Sequence, residues 1–99
     1  MFRGAREVAN FARRISRTLN LPKNAAKPGW KDMTTGEMIQ KLHEEYSELR
    51  YELAKLHTVN GYTTTYELNN IKRRIAEEAT DLGAVCVMIT DNVGGLKDD

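Results

Sequence analysis

Thr34-Thr35-Gly36-Glu37-Met38-Ile39-Gln40-Lys41-Leu42-His43-Glu44-Glu45-Tyr46-Ser47-Glu48-Leu49 is the stretch on which the fold turns. Thr34-x-x-Glu37 matches a capping box, in which a threonine hydroxyl and a glutamate carboxylate satisfy backbone N–H groups left open by the first helical turn. Met38, Ile39, Leu42, Tyr46, Leu49, Leu53 and Leu56 then recur at helical spacing, so a helix is expected to run to about Leu56. Asn60-Gly61 is a turn signal. Tyr62-Thr63-Thr64-Thr65-Tyr66 is rich in β-formers but too isolated to build a sheet, and it reads as loop. A further helix is expected from Tyr66 or Glu67 to Asn92, stopped by Gly94-Gly95. The expected fold is all-α, a short helical bundle with two long antiparallel helices that carry the acidic residues.

Upstream, Val8, Phe11, Ala12, Ile15 and Leu19 form an apolar stripe over Ala5–Leu19, with Arg6, Arg13, Arg14 and Arg17 mostly off it. Leu21-Pro22 ends this basic helix, and residues 22–33 read as a loop containing Pro22, Pro28, Gly29 and Trp30. The 99 residues are expected to form one domain, with 1–27 as basic helix and linker and 28–96 as the helical core. A core of this size is modest and gains from self-association. Hydrophobic content of 40% and charged content of 29% fit a folded, helix-rich, soluble chain.

The net charge of +1 is divided unevenly: residues 1–31 hold eight Lys/Arg against Glu7 alone. A basic arm thus precedes an acidic body. The arm could meet nucleic acid or cover a metal–phosphate site, or arm and body could simply attract each other. Cys86 is the only cysteine, which excludes an intrachain disulfide and a cysteine-based zinc site. Within the apolar run 84–89 it is expected to be a buried thiol acting as a small hydrophobe. No apolar stretch is long enough to span a membrane and no secretory signal peptide is visible, so the expected compartment is the cytoplasm.

The acids come in pairs. Glu45 with Glu48, and Glu78 with Asp81, are each three apart and therefore one turn apart on one side of a helix. With Leu42 as the reference direction, Glu45 falls about 60° away at the edge of the apolar stripe and Glu48 about 60° beyond it. On the other long helix Ile71, Ile75, Leu82, Cys86, Ile89 and Val93 fill one sector, which Val85 widens. Glu78 falls inside the widened sector and Asp81 about 60° further round. If the helices pack side by side, four carboxylates converge. They repel one another unless something positive joins them, and a hard divalent cation such as Mg²⁺ prefers oxygen ligands. A lysine or arginine could instead supply the partner, and Arg74 is one turn earlier on the same helix; the alternative is a buried Glu78–Arg pair joining the helices.

Glu44-Glu45-Tyr46-Ser47-Glu48 followed by Glu78-Ala79-Thr80-Asp81, with Gly29-Trp30 ahead and Asp91-Asn92 and a glycine turn behind, resembles the MazG-like members of the all-α nucleoside triphosphate pyrophosphohydrolases. The resemblance covers residues 28–96. It implies Mg²⁺-dependent cleavage of a (deoxy)nucleoside triphosphate to the monophosphate and pyrophosphate, with Mn²⁺ as a possible substitute. By motif position Glu45, Glu48, Glu78 and Asp81 would be the metal ligands. Glu44 would orient or deprotonate the attacking water, with Glu77 the second candidate. Trp30, Lys31 and Asn92 would contact the nucleotide. The resemblance also implies a homodimer or homotetramer. Many relatives continue into a further helix bearing Lys and Asn, which this sequence lacks after residue 96. Either a neighbouring subunit or the basic first helix would then supply that part, or the nucleotide site would be incomplete.

The competing expectation is a non-enzymatic helical interaction module with a basic arm. Little supports a nucleic-acid partner, since aromatics are few and no recognition-helix pattern occurs. His43 and His57 form no site, and no glycine-rich phosphate loop or Ser/His/Asp constellation is present.

Overall fold

The computed structural model describes residues 4–21 and 29–96. Three α-helices order the chain: α1 Ala5–Leu19, α2 Thr35–His57 and α3 Thr65–Asn92, with a short 3-10 turn at Trp30–Asp32 before α2. The described residues contain no strand, and the fold is the all-α bundle expected. Pro22, Pro28, Lys23, Lys27 and Arg3 lie outside the described residues, as does the tail after Leu96. No helix is long and apolar enough to cross a membrane among the described residues.

Local chemistry explains where each helix begins and ends. At α2 the capping box forms in full, with Glu37 N–H donating to Thr34 Oγ1 at 3.1 Å and Thr34 N–H donating to Glu37 Oε1 at 3.0 Å. Those bonds hold the Glu37 carboxyl below its ordinary range. Thr64 caps α3 in the same way, accepting from Glu67 N–H at 3.0 Å, so α3 starts one or two residues earlier than the sequence reading placed it. Between the helices, Asn60 Oδ1 accepts from Tyr62 N–H at 2.8 Å and fixes the turn. At the far end Gly94 takes φ 81°, Gly94 N–H donates to the Asp91 carbonyl and Gly95 N–H to the Thr90 carbonyl. That pair of bonds is a Schellman stop, which needs the left-handed conformation glycine adopts freely.

α2 and α3 are antiparallel. The amide of Asn92, at the end of α3, donates to the carbonyls of Trp30, Lys31 and Met33, just before α2 begins. Met38, Ala84, Val85 and Met88 make the buried apolar core, and no described side chain is completely buried. The apolar stripe of α2 is not buried as a whole. Leu49 and Leu56 are half-buried, whereas Ile39, Leu42, Tyr46 and Leu53 are exposed. The face that meets α3 instead carries Met38, Glu45 and Glu52, spaced by seven and rotated about 60° from Leu42 towards the acids.

The expectation of a buried Cys86 is corrected: its side chain is exposed. α3 is covered by α2 on one side and by α1 and the 3-10 turn on another, and Cys86 falls in the uncovered sector together with Val93.

α1 docks on α3 through a small contact. Gly83 removes a side chain at the crossing, so that a Cβ built there would lie 2.8 Å from the Phe11 ring and 2.9 Å from Ile15 Cδ1. Alongside, Arg14 Nε donates to Thr80 Oγ1 at 3.0 Å. No residue of α1 is buried. A Gly83→Leu variant is therefore expected to undock α1 while leaving the α2–α3 hairpin folded. Hydrogen exchange checks this: protection should be lost along residues 5–19 and kept along 35–57 and 65–92. Unchanged protection in α1 would contradict the packing described.

Candidate functional site

The register of the α2–α3 pair brings the acids together. One carboxylate oxygen each from Glu45, Glu78 and Asp81 lies within 4.8 Å of the others. Glu48, exposed at the rim, is close enough for its charge to raise both Glu45 and Glu78. Crowded carboxylates disfavour the charged form, so Glu45 and Glu78 hold protons more readily when no cation is present. Three of the four acids expected from the paired motifs, Glu45, Glu78 and Asp81, therefore converge, with the exposed Glu48 at their edge. Asp81 has a further interaction of its own. Oε2 of Glu45 and Oε2 of Glu78 are buried with no hydrogen-bond partner. No ion pair joins Glu78 to Arg74 among the described residues; Lys55–Glu52 and Arg73–Glu77 are ion-paired.

Electrostatics follow from this geometry. Burial pushes the Glu78 carboxyl up to about 7, aided by Glu48 and by the charges of Asp81 and Glu45. Glu45 is also raised, first by burial and then by Glu48 and Asp81, with Lys41 opposing. A buried acceptor with no partner costs about 1–3 kcal/mol, more when charged. The donor set is oxygen only, it is crowded, and two of its atoms face no donor. It fits a hard divalent cation, which would replace the protons and supply the missing partner.

Other expected residues lie elsewhere. Glu44 is exposed on the same flank of α2 as Glu48, one turn earlier, and accepts a bond from Gln40 at 3.2 Å. Glu77 is exposed and paired with Arg73 at 2.8 Å. Trp30, Lys31 and Asn92 gather at the end of the hairpin. Asn92 holds the backbone of the 3-10 turn, and Trp30 Nε1 donates to Asp91 Oδ2 at 2.8 Å. Asn92 is eleven residues beyond Asp81, roughly 16 Å along the helix axis. The structure thus ties these three to one another and holds Asn92 apart from the acid cluster.

Two residues were not singled out from the sequence. Glu52 is 8% exposed, its Oε1 is paired with Lys55 at 3.2 Å and its Oε2 is buried without a partner. Its position was readable, since it follows Glu45 by seven residues and shares its face. Thr80, 4% exposed, donates to the Ala76 carbonyl at 2.7 Å and receives Arg14. No sequence signal marks the Arg14–Thr80 pair, which spans 66 positions.

No family model matches the chain, and no curated protein or solved structure matches it. The site itself therefore carries the functional argument.

The raised Glu78 has a definite consequence for stability. Between its ordinary 4.5 and about 7 the folded state binds more protons than the unfolded one. Stability without metal must therefore fall as pH rises through that window and level off above it. The metal-free melting temperature is expected to be higher at about pH 5.5 than at about pH 8, and Glu78→Gln should flatten the difference. Mg²⁺ should raise the melting temperature more at the higher pH, because the cation competes with the protons. A pH profile untouched by Glu78→Gln would disprove the cluster's part in it.

Glu52 gives a separate outcome. Glu52→Met replaces a poorly paired buried acid with an apolar side chain of similar size, which is expected to stabilise the fold by about 1 kcal/mol. In a thermal melt that corresponds to a rise of about 4–8 °C.

Proposed function

We propose that this protein is a Mg²⁺-dependent pyrophosphohydrolase that converts (deoxy)nucleoside triphosphates to the monophosphates and pyrophosphate, with Mn²⁺ able to substitute for Mg²⁺. The observation that carries this reading is the convergence of Glu45, Glu78 and Asp81 oxygens, with buried oxygens of Glu45 and Glu78 lacking any partner. In this reading Glu45, Glu48, Glu78 and Asp81 hold the cation, which supplies a counter-charge for triphosphate oxygens and for the departing pyrophosphate. Glu44, exposed beside Glu48, is assigned to orient the attacking water and accept its proton. A cytoplasmic nucleotide pool is the matching source of substrate.

Self-association belongs to the same reading. Ile39, Leu42, Tyr46, Leu49, Leu53 and Leu56 alternate at intervals of three and four, the spacing of a helix–helix seam. Ile39 is 63% exposed and Leu53 46% exposed. A second copy of the chain would cover this seam and enlarge a core in which no described side chain is completely buried. Leu42→Lys with Leu53→Lys should lower the sedimentation mass to that of a single chain. A wild-type protein already monomeric at high concentration would remove this part of the reading.

The decisive assay is pyrophosphate release from a panel of NTPs and dNTPs, with Mg²⁺ and with EDTA. Release is expected only with the metal and should drop by at least about 100-fold in Asp81→Asn and Glu48→Gln. Those variants should also lose the metal-induced rise in melting temperature. Turnover that survives EDTA or both substitutions would overturn the proposal. Absence of both turnover and a metal effect in folded protein would leave the helical interaction module.

A further inference from the structure

A cleft of about 340 Å³ opens between α1 and α3, lined among others by Arg14, Arg17, Thr18, Glu77, Thr80 and Asp81. Its volume is enough for a small ligand. Asp81 belongs both to this cleft and to the carboxylate cluster, so the two are continuous. Arg14 and Arg17 stand one turn apart on the same side of α1. Arg14 is held in place by its Nε, which donates to Thr80 Oγ1 at 3.0 Å. Thr80 is itself oriented by donating to the Ala76 carbonyl at 2.7 Å. The terminal nitrogens of Arg14 take no part in that bond. Arg17 makes no side-chain hydrogen bond or ion pair among the described residues.

Two guanidinium groups thus face a common open space beside an acid cluster suited to a cation. Both arginines line the cleft together with Glu77 and Asp81, and an anion between the guanidinium groups would be attracted to both. Guanidinium donors match the spacing of phosphate oxygens and bind them in pairs. A phosphate chain carries the complementary pattern, with oxygens for the cation on one side and oxygens for arginine on the other. A lone carboxylate ligand would serve one half only.

We propose that Arg14 and Arg17 are the phosphate-binding half of the site, taking non-bridging oxygens of a nucleoside triphosphate whose other oxygens meet the cation at Glu45, Glu78 and Asp81. This rests on the reading of the acid cluster as a cation site for phosphate chemistry. The basic first helix then acts as part of the site, and its arginines divide by direction. Arg13 bonds Asn10 on its own helix and is not among the residues that line the cleft.

Inorganic tripolyphosphate is the direct probe, titrated calorimetrically into the full chain with Mg²⁺ present. Wild type is expected to bind it, and Arg17→Gln and the Arg14→Gln/Arg17→Gln double variant should bind at least about tenfold more weakly, a loss of about one charge-assisted contact. Arg17→Lys should recover part of the loss, and Arg13→Gln should bind as wild type does. Because Arg14 also docks α1, Arg17→Gln alone carries the test if the double variant unfolds. The Mg²⁺-induced rise in melting temperature should persist in Arg17→Gln, which separates anion binding from metal binding. Equal binding by wild type and Arg17→Gln, equal loss in Arg13→Gln, or no binding by wild type would each overturn the proposal. Tripolyphosphate binding that needs Arg17 in a protein without turnover would sink the hydrolase reading and keep the anion site. Turnover with an unchanged KM in Arg17→Gln would do the reverse.

Discussion

Like charges forced together between two helices are the constraint on which this structure depends. α2 presents Met38, Glu45 and Glu52 to α3, and α3 answers Glu45 with Glu78 and Asp81. A hydrophobic seam was available on α2, yet Ile39, Leu42, Tyr46 and Leu53 stay exposed while carboxylate oxygens are buried without partners. Burial of apolar area stabilises by about 25 cal/mol per Å², so this choice of face works against the ordinary drive of folding. The proposed function would reconcile it in two ways: positive charge delivered to the acids, and apolar surface delivered to the exposed seam. Both would come from outside the single chain, and both would act on the same pair of helices.

Much of this was legible in the sequence because it is local. The Thr34–Glu37 capping box, the Asn60 turn and the Gly94-Gly95 stop depend on residues within a few positions of one another. The paired acids were legible too, since three-residue spacing fixes their side of each helix whatever the partner. What the wheel left open was which sector of each helix meets its neighbour. The apolar stripes suggested that Leu42 and Cys86 face inward, but each helix carries a wide apolar arc and one chain covers only part of it. Glu52 was missed for the same reason, since it lies off the apolar stripe while the contact face is rotated towards the acids. The Arg14–Thr80 bond and the Gly83 notch are products of a crossing between distant segments, and nothing local announces them.

α1 is held differently from the other two helices. It buries no residue, and its contacts with α3 include Phe11 and Ile15 against Gly83 and the Arg14–Thr80 bond. That makes its attachment the weakest in the bundle and the most easily biased by a ligand. A helix that carries Arg14 and Arg17 on so slight a contact can be drawn in by an anion at the cleft, because each guanidinium–phosphate contact is comparable in strength to the docking it supplements. Binding and packing would then share the same few atoms.

The α2–α3 hairpin is fastened at both ends. The Asn60 turn closes one, and the Asn92 amide, gripping three carbonyls of the segment before α2, closes the other. The acid cluster sits near mid-span. A beam clamped at both ends bows most at its centre, so small changes in helix separation are concentrated where the carboxylates meet. On the proposed reading, a bound ion would set the gap at mid-span while the two fastenings set the ends, so ions of different radius would be met by a change in helix separation confined to the centre.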